Sequence, residues 1–198
     1  MRALLLCTAL LLGSAGAAGA ADAGLVAGIN GTPTVTRAGQ SLPLTRGATV
    51  AVGDTIVTAA GAKVKILLAD DSVLAIGPGS QVVLDELALA PQSRAAKLRV
   101  LAGRFKLAIA AWLTGSSRFE VETPTAVAGV RGTVLWGDTE LDAICALHGT
   151  IEVRPRQGGS PATLSAGQCV TDMADGKTAP LKPSPAELAA YLRQVTLD

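Results

Sequence analysis

Cys145 and His148 stand three residues apart, with Cys169 downstream, and His148 is the one histidine of the chain. Thiolate and imidazole are zinc ligands, and a histidine can also serve the Ser–His–acid triad of a hydrolase. The spacing supports neither chemistry. Zinc sites of this ligand type use paired cysteines, and the chain has no C-x-x-C. On a strand, Cys145 and His148 would face opposite sides. Carboxylate pairs occur at Asp70-Asp71 and Asp85-Glu86. The first interrupts two apolar runs, where acids suit a solvated turn because their side chains bond nearby backbone groups. Gly77-Pro78-Gly79-Ser80 lies between strands, so it is no phosphate loop, which would open a helix. No G-x-S-x-G elbow frames a serine. The pattern is that of a non-enzymatic chain without metal or cofactor.

The elements that would position such residues are strands. Hydrophobic residues fill 49% of the 198 positions but aromatics only 3%, so the core must come from Val, Leu, Ile and Ala. Twenty-two glycines and ten prolines cut the chain into short elements. VKILLADDSVLAI predicts a hairpin. Val64, Ile66 and Leu68 alternate with Lys65 and Leu67, Asp70-Asp71-Ser72 breaks the run, and Val73, Leu74 and Ile76 resume it. Further strands are expected at TVTRA, QVVLDELAL, KLRVLA, RFKLAIA, RFEVET, TAVAG, GTVLWG, LDAICAL, TIEVRP and QCVTDM. LAGRFKL, LHGTIEV and, loosely, INGTPTV share a glycine after which alternation restarts, marking recurrent strand starts. Near the C-terminus, Ser184, Pro185 and Glu187 form a capping box. Leu188, Tyr191, Leu192 and Val195 then share one helical face, which either packs on the domain or docks a partner.

MRALLLCTALLLGSAGAAGA combines Arg2, a short apolar run and the small residues Ala18-Gly19-Ala20, the pattern of a cleaved secretory signal. The run is shorter than the roughly 20 residues a bilayer span needs, and no later stretch is long enough. Cys7 is preceded by bulky Leu6, which argues against lipidation. The expected compartment is therefore the periplasm. There Cys145 and Cys169 are expected to pair, because oxidising compartments preserve disulfides. Basic and acidic residues number 17 and 16, and loss of Arg2 makes them equal, which disfavours a nucleic-acid partner. Arg94, Lys97, Arg99, Arg104 and Lys106 occur with no acid between Pro91 and Ala111. They suit a solvated strand face or, alternatively, a contact surface for an acidic partner. The expected layout is a signal peptide over 1–20, a β-domain over 25–173, a Pro-rich linker over 174–183 and a helix over 184–197.

TPTAVAGVRGTVLW sets one cation, Arg131, between Gly129 and Gly132 in an apolar alternation. Buried, it would need a carboxylate, since an uncompensated interior charge is strongly destabilising. Asp54, in a Gly-Asp turn, is the first candidate partner and Asp71 the second. Such a pair would lock two distant strands, and Gly132 would allow a bulge or a close backbone approach. A direct ligand contact by Arg131 is the alternative.

In order, the chain reads TVAVGDTIVTAAGAKVKILLADDSVLAIGPGSQVVLDEL, LRVLAGRFKL, FEVETPTAVAGVRGTVLWGD, ALHGTIEVRP and LSAGQ. From about Ile29 to Gln168 this resembles the FecR domain. The most specific elements are Gly53-Asp54-x-Ile56-x-Thr58, Asp71-Ser72-x-Leu74, Thr123-Pro124 and Val130-Arg131-Gly132-Thr133. The resemblance implies an all-β domain, sandwich- or roll-like, used for protein interaction and signalling, here with one short C-terminal α-helix. Regulators of that family carry a cytoplasmic anti-sigma segment and a transmembrane helix before the domain, where a cleavable signal is expected here. The expectation is a free-standing periplasmic FecR-domain protein, not membrane-spanning, with an envelope protein as partner. A carbohydrate- or cell-wall-binding sandwich is the alternative.

Overall fold

In the computed structural model, short alternating runs rich in Val, Ile and Leu fold, among the described residues, into seventeen strands and one α-helix. The structure describes residues 21–90, 93–110, 118–130 and 132–197. The expected signal peptide and Arg131 lie outside the described residues. The first strands are β1 (Asp22–Asn30), β2 (Thr34–Arg37), β3 (Gln40–Pro43), β4 (Thr49–Ala51), β5 (Thr55–Val57) and β6 (Lys63–Leu68). Then come β7 (Val73–Ile76), β8 (Gln81–Ala90), β9 (Ser93–Ala102), β10 (Arg104–Ala108), β11 (Arg118–Glu122) and β12 (Ala126–Val130). The last are β13 (Val134–Asp138), β14 (Ala143–His148), β15 (Thr150–Pro155), β16 (Ala162–Ser165) and β17 (Gln168–Val170), followed by α1 (Pro185–Val195).

Two sheets form a sandwich. Sheet A has the order β17-β14-β13-β10-β7-β6-β1-β4, and sheet B the order β16-β15-β12-β11-β9-β8-β5-β2-β3. The chain makes a strand or hairpin in one sheet, crosses, and makes the next in the other. The predicted hairpin is β6–β7, pairing Leu67 with Val73. β9 and β11 pair in parallel because β10 departs to sheet A between them.

Crossings need a sharp reversal of the backbone normal. At all nine crossings among the described residues the connection holds a glycine with φ between 59° and 89°, from Gly31 to Gly167. Side-chain-bearing residues resist that left-handed region, whereas glycine enters it freely. The glycines of INGTPTV, LAGRFKL and LHGTIEV are three of these corners, Gly31, Gly103 and Gly149. At Gly149 a side chain would also strike Thr133.

Inward-facing residues of both sheets make one core, including Val64, Ile66, Leu84, Leu98, Phe105, Phe119, Leu135 and Ile151. Each such fully buried side chain contributes about 1.5–3 kcal/mol. A second, smaller cluster lies on the outer side of sheet A, where Ala75, Trp136, Cys145 and Cys169 meet Val195 of α1. The helix begins as predicted: the Glu187 amide donates to Ser184 Oγ at 3.3 Å, and the Ser184 amide donates to Glu187 Oε2 at 2.7 Å. Among the described residues no helix is long and apolar enough to cross a membrane.

Candidate interaction surface

The motif residues are spread over turns and crossings. Gly53 sits at φ 89°, and its amide donates to the Leu84 carbonyl at 2.7 Å. Asp54 is buried, and its carboxylate accepts from Arg37 Nε at 2.8 Å, Arg37 Nη2 at 2.6 Å and the Ala51 amide at 2.8 Å. The hydrogen bond to Asp54 raises the Arg37 pKa above its ordinary value. The cation held by Asp54 is therefore Arg37 of β2; Arg131, and with it the anticipated pair, lies outside the described residues. Thr58 Oγ1 donates to the Gly77 carbonyl at 2.6 Å and accepts from the Ser80 amide at 2.9 Å, tying two crossings together.

At the β6–β7 turn the two acids part company. Asp71 is exposed at φ 67°, while Asp70 is buried and accepts from the Ser72 amide and hydroxyl at 3.1 and 2.8 Å. The expectation of two solvated acids fails for Asp70 because Ser72 folds back to satisfy it. Thr123 Oγ1 accepts from the Ala126 amide at 3.0 Å, and Arg156 Nε donates to the Thr123 carbonyl at 2.9 Å. Thr123 and the exposed Pro124 border a shallow dent of about 360 Å³ with Arg99, Glu122 and Arg156. Gly132, at φ 59°, turns the chain from sheet B to sheet A. Thr133 is buried beyond it, and its carbonyl accepts from the Ile109 amide at 2.9 Å.

Cys145 and Cys169 face each other directly on β14 and β17 and are joined by a disulfide, with Cα atoms 3.9 Å apart. The thiols are thus committed to a bond, and His148 is exposed at the far end of β14. Among the described residues no group of His, Cys, Asp and Glu is arranged to hold a metal ion.

The basic run is divided between the sheets. Lys97 reaches Glu122 at 2.8 Å and Arg99 reaches Asp85 at 2.7 Å on the outer face of sheet B. Arg156 meets Glu122 at 2.8 Å on the same face. These contacts push the Glu122 carboxyl below its ordinary value, chiefly through the Lys97 hydrogen bond, and raise Lys97 in turn. Arg104 instead pairs with the buried Asp138 at 3.0 Å and with Glu140 at 2.7 Å. Lys106 makes no ion pair among the described residues. The side chain of Arg94 lies outside them.

Two outer faces result, and they differ. On sheet B, Gly129 stands in register between Glu120 and Glu152, and the missing side chain leaves an open groove of about 580 Å³. Arg118, Glu120, Glu152 and Arg154 rim it with both signs of charge. On sheet A, α1 lies across the strands. Tyr191 stacks on Trp136, Val195 is buried, and Lys63 Nζ donates to the Arg193 and Thr196 carbonyls at 2.9 and 2.7 Å. The protein's own helix covers part of one face, and among the described residues no helix lies on the other. Arg37 and the Gly129 groove were not foreseen: pairing of Arg37 with Asp54 depends on a distant strand, and a mid-strand glycine carries no label for a groove.

A family model described as FecR protein matches residues 54–158. By fold the chain is similar to two crystal structures, at 1.65 and 2.50 Å resolution, of a candidate anti-sigma factor from Parabacteroides distasonis. Each aligns with a TM-score of 0.54 and 17% identity over 70% of this chain. The chain covers 64% and 63% of those two chains, so it spans less than two thirds of the length of its neighbours. At that identity the likeness establishes the fold alone. No curated protein sequence matches the chain.

Proposed function

Since the chain belongs to the FecR protein family, we propose that it is an exported, non-catalytic protein-interaction module that relays or scaffolds signalling in the bacterial envelope. One observation carries this reading: among the described residues the buried carboxylates and the two cysteines are spent on structure. Asp54 holds Arg37, Asp138 holds Arg104, Asp70 holds Ser72, and both mature cysteines are bonded. What the scaffold presents is broad surface, with a charge-rimmed groove on sheet B and a helix-flanked face on sheet A. Polypeptide partners are recognised by such extended, mixed-charge surfaces. The disulfide and the expected leader suit an oxidising compartment. The neighbours' anti-sigma description supports a signalling role in the same general sense.

A glycan-binding module would want an exposed aromatic on which a sugar ring stacks. Among the described residues, Phe105, Phe119 and Trp136 are buried, and Tyr191 is spent on Trp136. Co-purification from crosslinked periplasm against co-sedimentation with insoluble peptidoglycan separates the two functions. The interaction reading expects a discrete protein adduct lost on Arg118→Glu with Arg154→Glu, and no retention by the wall. Retention by the wall with no protein adduct would overturn it.

A further inference from the structure

Cross-strand register aligns two rows on the outer face of sheet A. The first row, Lys65–Ala75–Lys106–Trp136–Cys145–Cys169, is the seat of α1. The second, two residues further along each strand, is Leu25–Leu67–Val73–Ala108–Val134. Its five residues are apolar; Leu25 and Leu67 remain 44% and 42% exposed, and Val73, Ala108 and Val134 are half-buried. Between the rows runs a groove of about 300 Å³, floored by Val73, Ala75 and Ala108 and walled by Leu197. Lys65 and Lys106 both line it, and neither makes an ion pair among the described residues.

We propose that this groove docks an acidic amphipathic helix of a partner protein, laid beside α1. Three arguments fix the occupant. The second row crosses five strands, or about 19 Å at the usual strand spacing, which is the length of roughly 13 helical residues. Its neighbour row already holds a helix that presents an apolar face to this sheet, so a second helix would repeat an arrangement the chain itself uses. Helices pack side by side about 8–10 Å apart, which sets a second axis over or just beyond the apolar row. Two lysines along one edge of the apolar strip, with no ion pair among the described residues, complement carboxylates at the edge of an amphipathic helix. The recess beside α1 suits a cylinder better than a flat lipid surface. This inference rests on the protein-interaction reading above and names one partner chemistry within it.

The test uses the mature chain and three probes: a 14-residue amphipathic Glu/Leu peptide, its Lys/Leu counterpart, and vesicles of anionic phospholipid. The Glu/Leu peptide should bind and gain helicity, at least tenfold more tightly than the Lys/Leu peptide, and vesicles should not bind. Lys65→Glu with Lys106→Glu should weaken it at least tenfold, and so should Leu67→Glu, with circular dichroism unchanged. Equal binding by wild type and variants, or vesicle binding that the peptide does not compete, would overturn the proposal. If the peptide fails while in-cell crosslinking still yields a protein adduct, the groove assignment falls and the interaction function stands.

Discussion

The Tyr191 ring lies flat on Trp136, with centroids 4.5 Å apart and planes within 7°. This stack, with Val195 beneath, pins α1 to sheet A. Offset aromatic pairs contribute beyond their buried area, and Tyr191 is only partly buried. Tyr191→Ala should therefore cost about 2 kcal/mol in urea unfolding. Hydrogen exchange should rise in α1 and stay low in β6, β10 and β13.

Arg37 and Asp54 form an asymmetric pair, with side chains 41% and 1% exposed. Removing the cation strands a carboxylate in the interior, whereas Asp54→Asn removes the buried charge itself. Arg37→Ala should cost about 3 kcal/mol, and Asp54→Asn less. Denaturant midpoints of the two variants check the order.

The disulfide joins cysteines separated by 24 positions in sequence. Restricting the unfolded chain in that way contributes about 3 kcal/mol. Cys145→Ala with Cys169→Ala should lower the melting temperature by that equivalent. Reduction of the wild type should match the double variant.

Glu122 and Glu187 both titrate below the ordinary 4.5, Glu122 through Lys97 and Glu187 through Ser184. A carboxyl lowered on folding contributes stability above its unfolded pKa and loses it as pH falls through the folded value. Melting temperature should hold steady from pH 7 to about 5 and fall once pH drops below about 4. Glu122→Gln should flatten part of that fall. Lys97 is raised instead, so its contribution is full below the ordinary 10.5 and is lost as the pH rises from there through its folded value.

Much of the fold was legible because its signals are local. The β6–β7 hairpin, the Ser184–Glu187 box and the family order each depend on residues close in sequence. The three repeated glycines were visible as strand starts, but their role as sheet-to-sheet corners needed the topology, because φ is not written in a glycine codon. The site was less legible for the same reason. Asp54 has its partner 17 positions away in another strand, and nothing local selects Arg37. Pro91 to Ala111 read as one basic stretch, yet β9 and β10 lie in different sheets, so Lys97 and Lys106 face opposite sides of the molecule. Alternation assigned inside and outside well; it could not say which outer face a helix would cover.

The central claim, that this scaffold presents surface to a protein partner in the envelope, is tested most directly by photocrosslinking in intact cells. A photoreactive residue would replace Arg154 on sheet B, Leu67 on sheet A or, as a buried control, Leu135. The account predicts a discrete protein adduct from at least one surface position, none from Leu135, and export of all three variants. Absence of a protein adduct from both surface positions in exported, folded protein would contradict it.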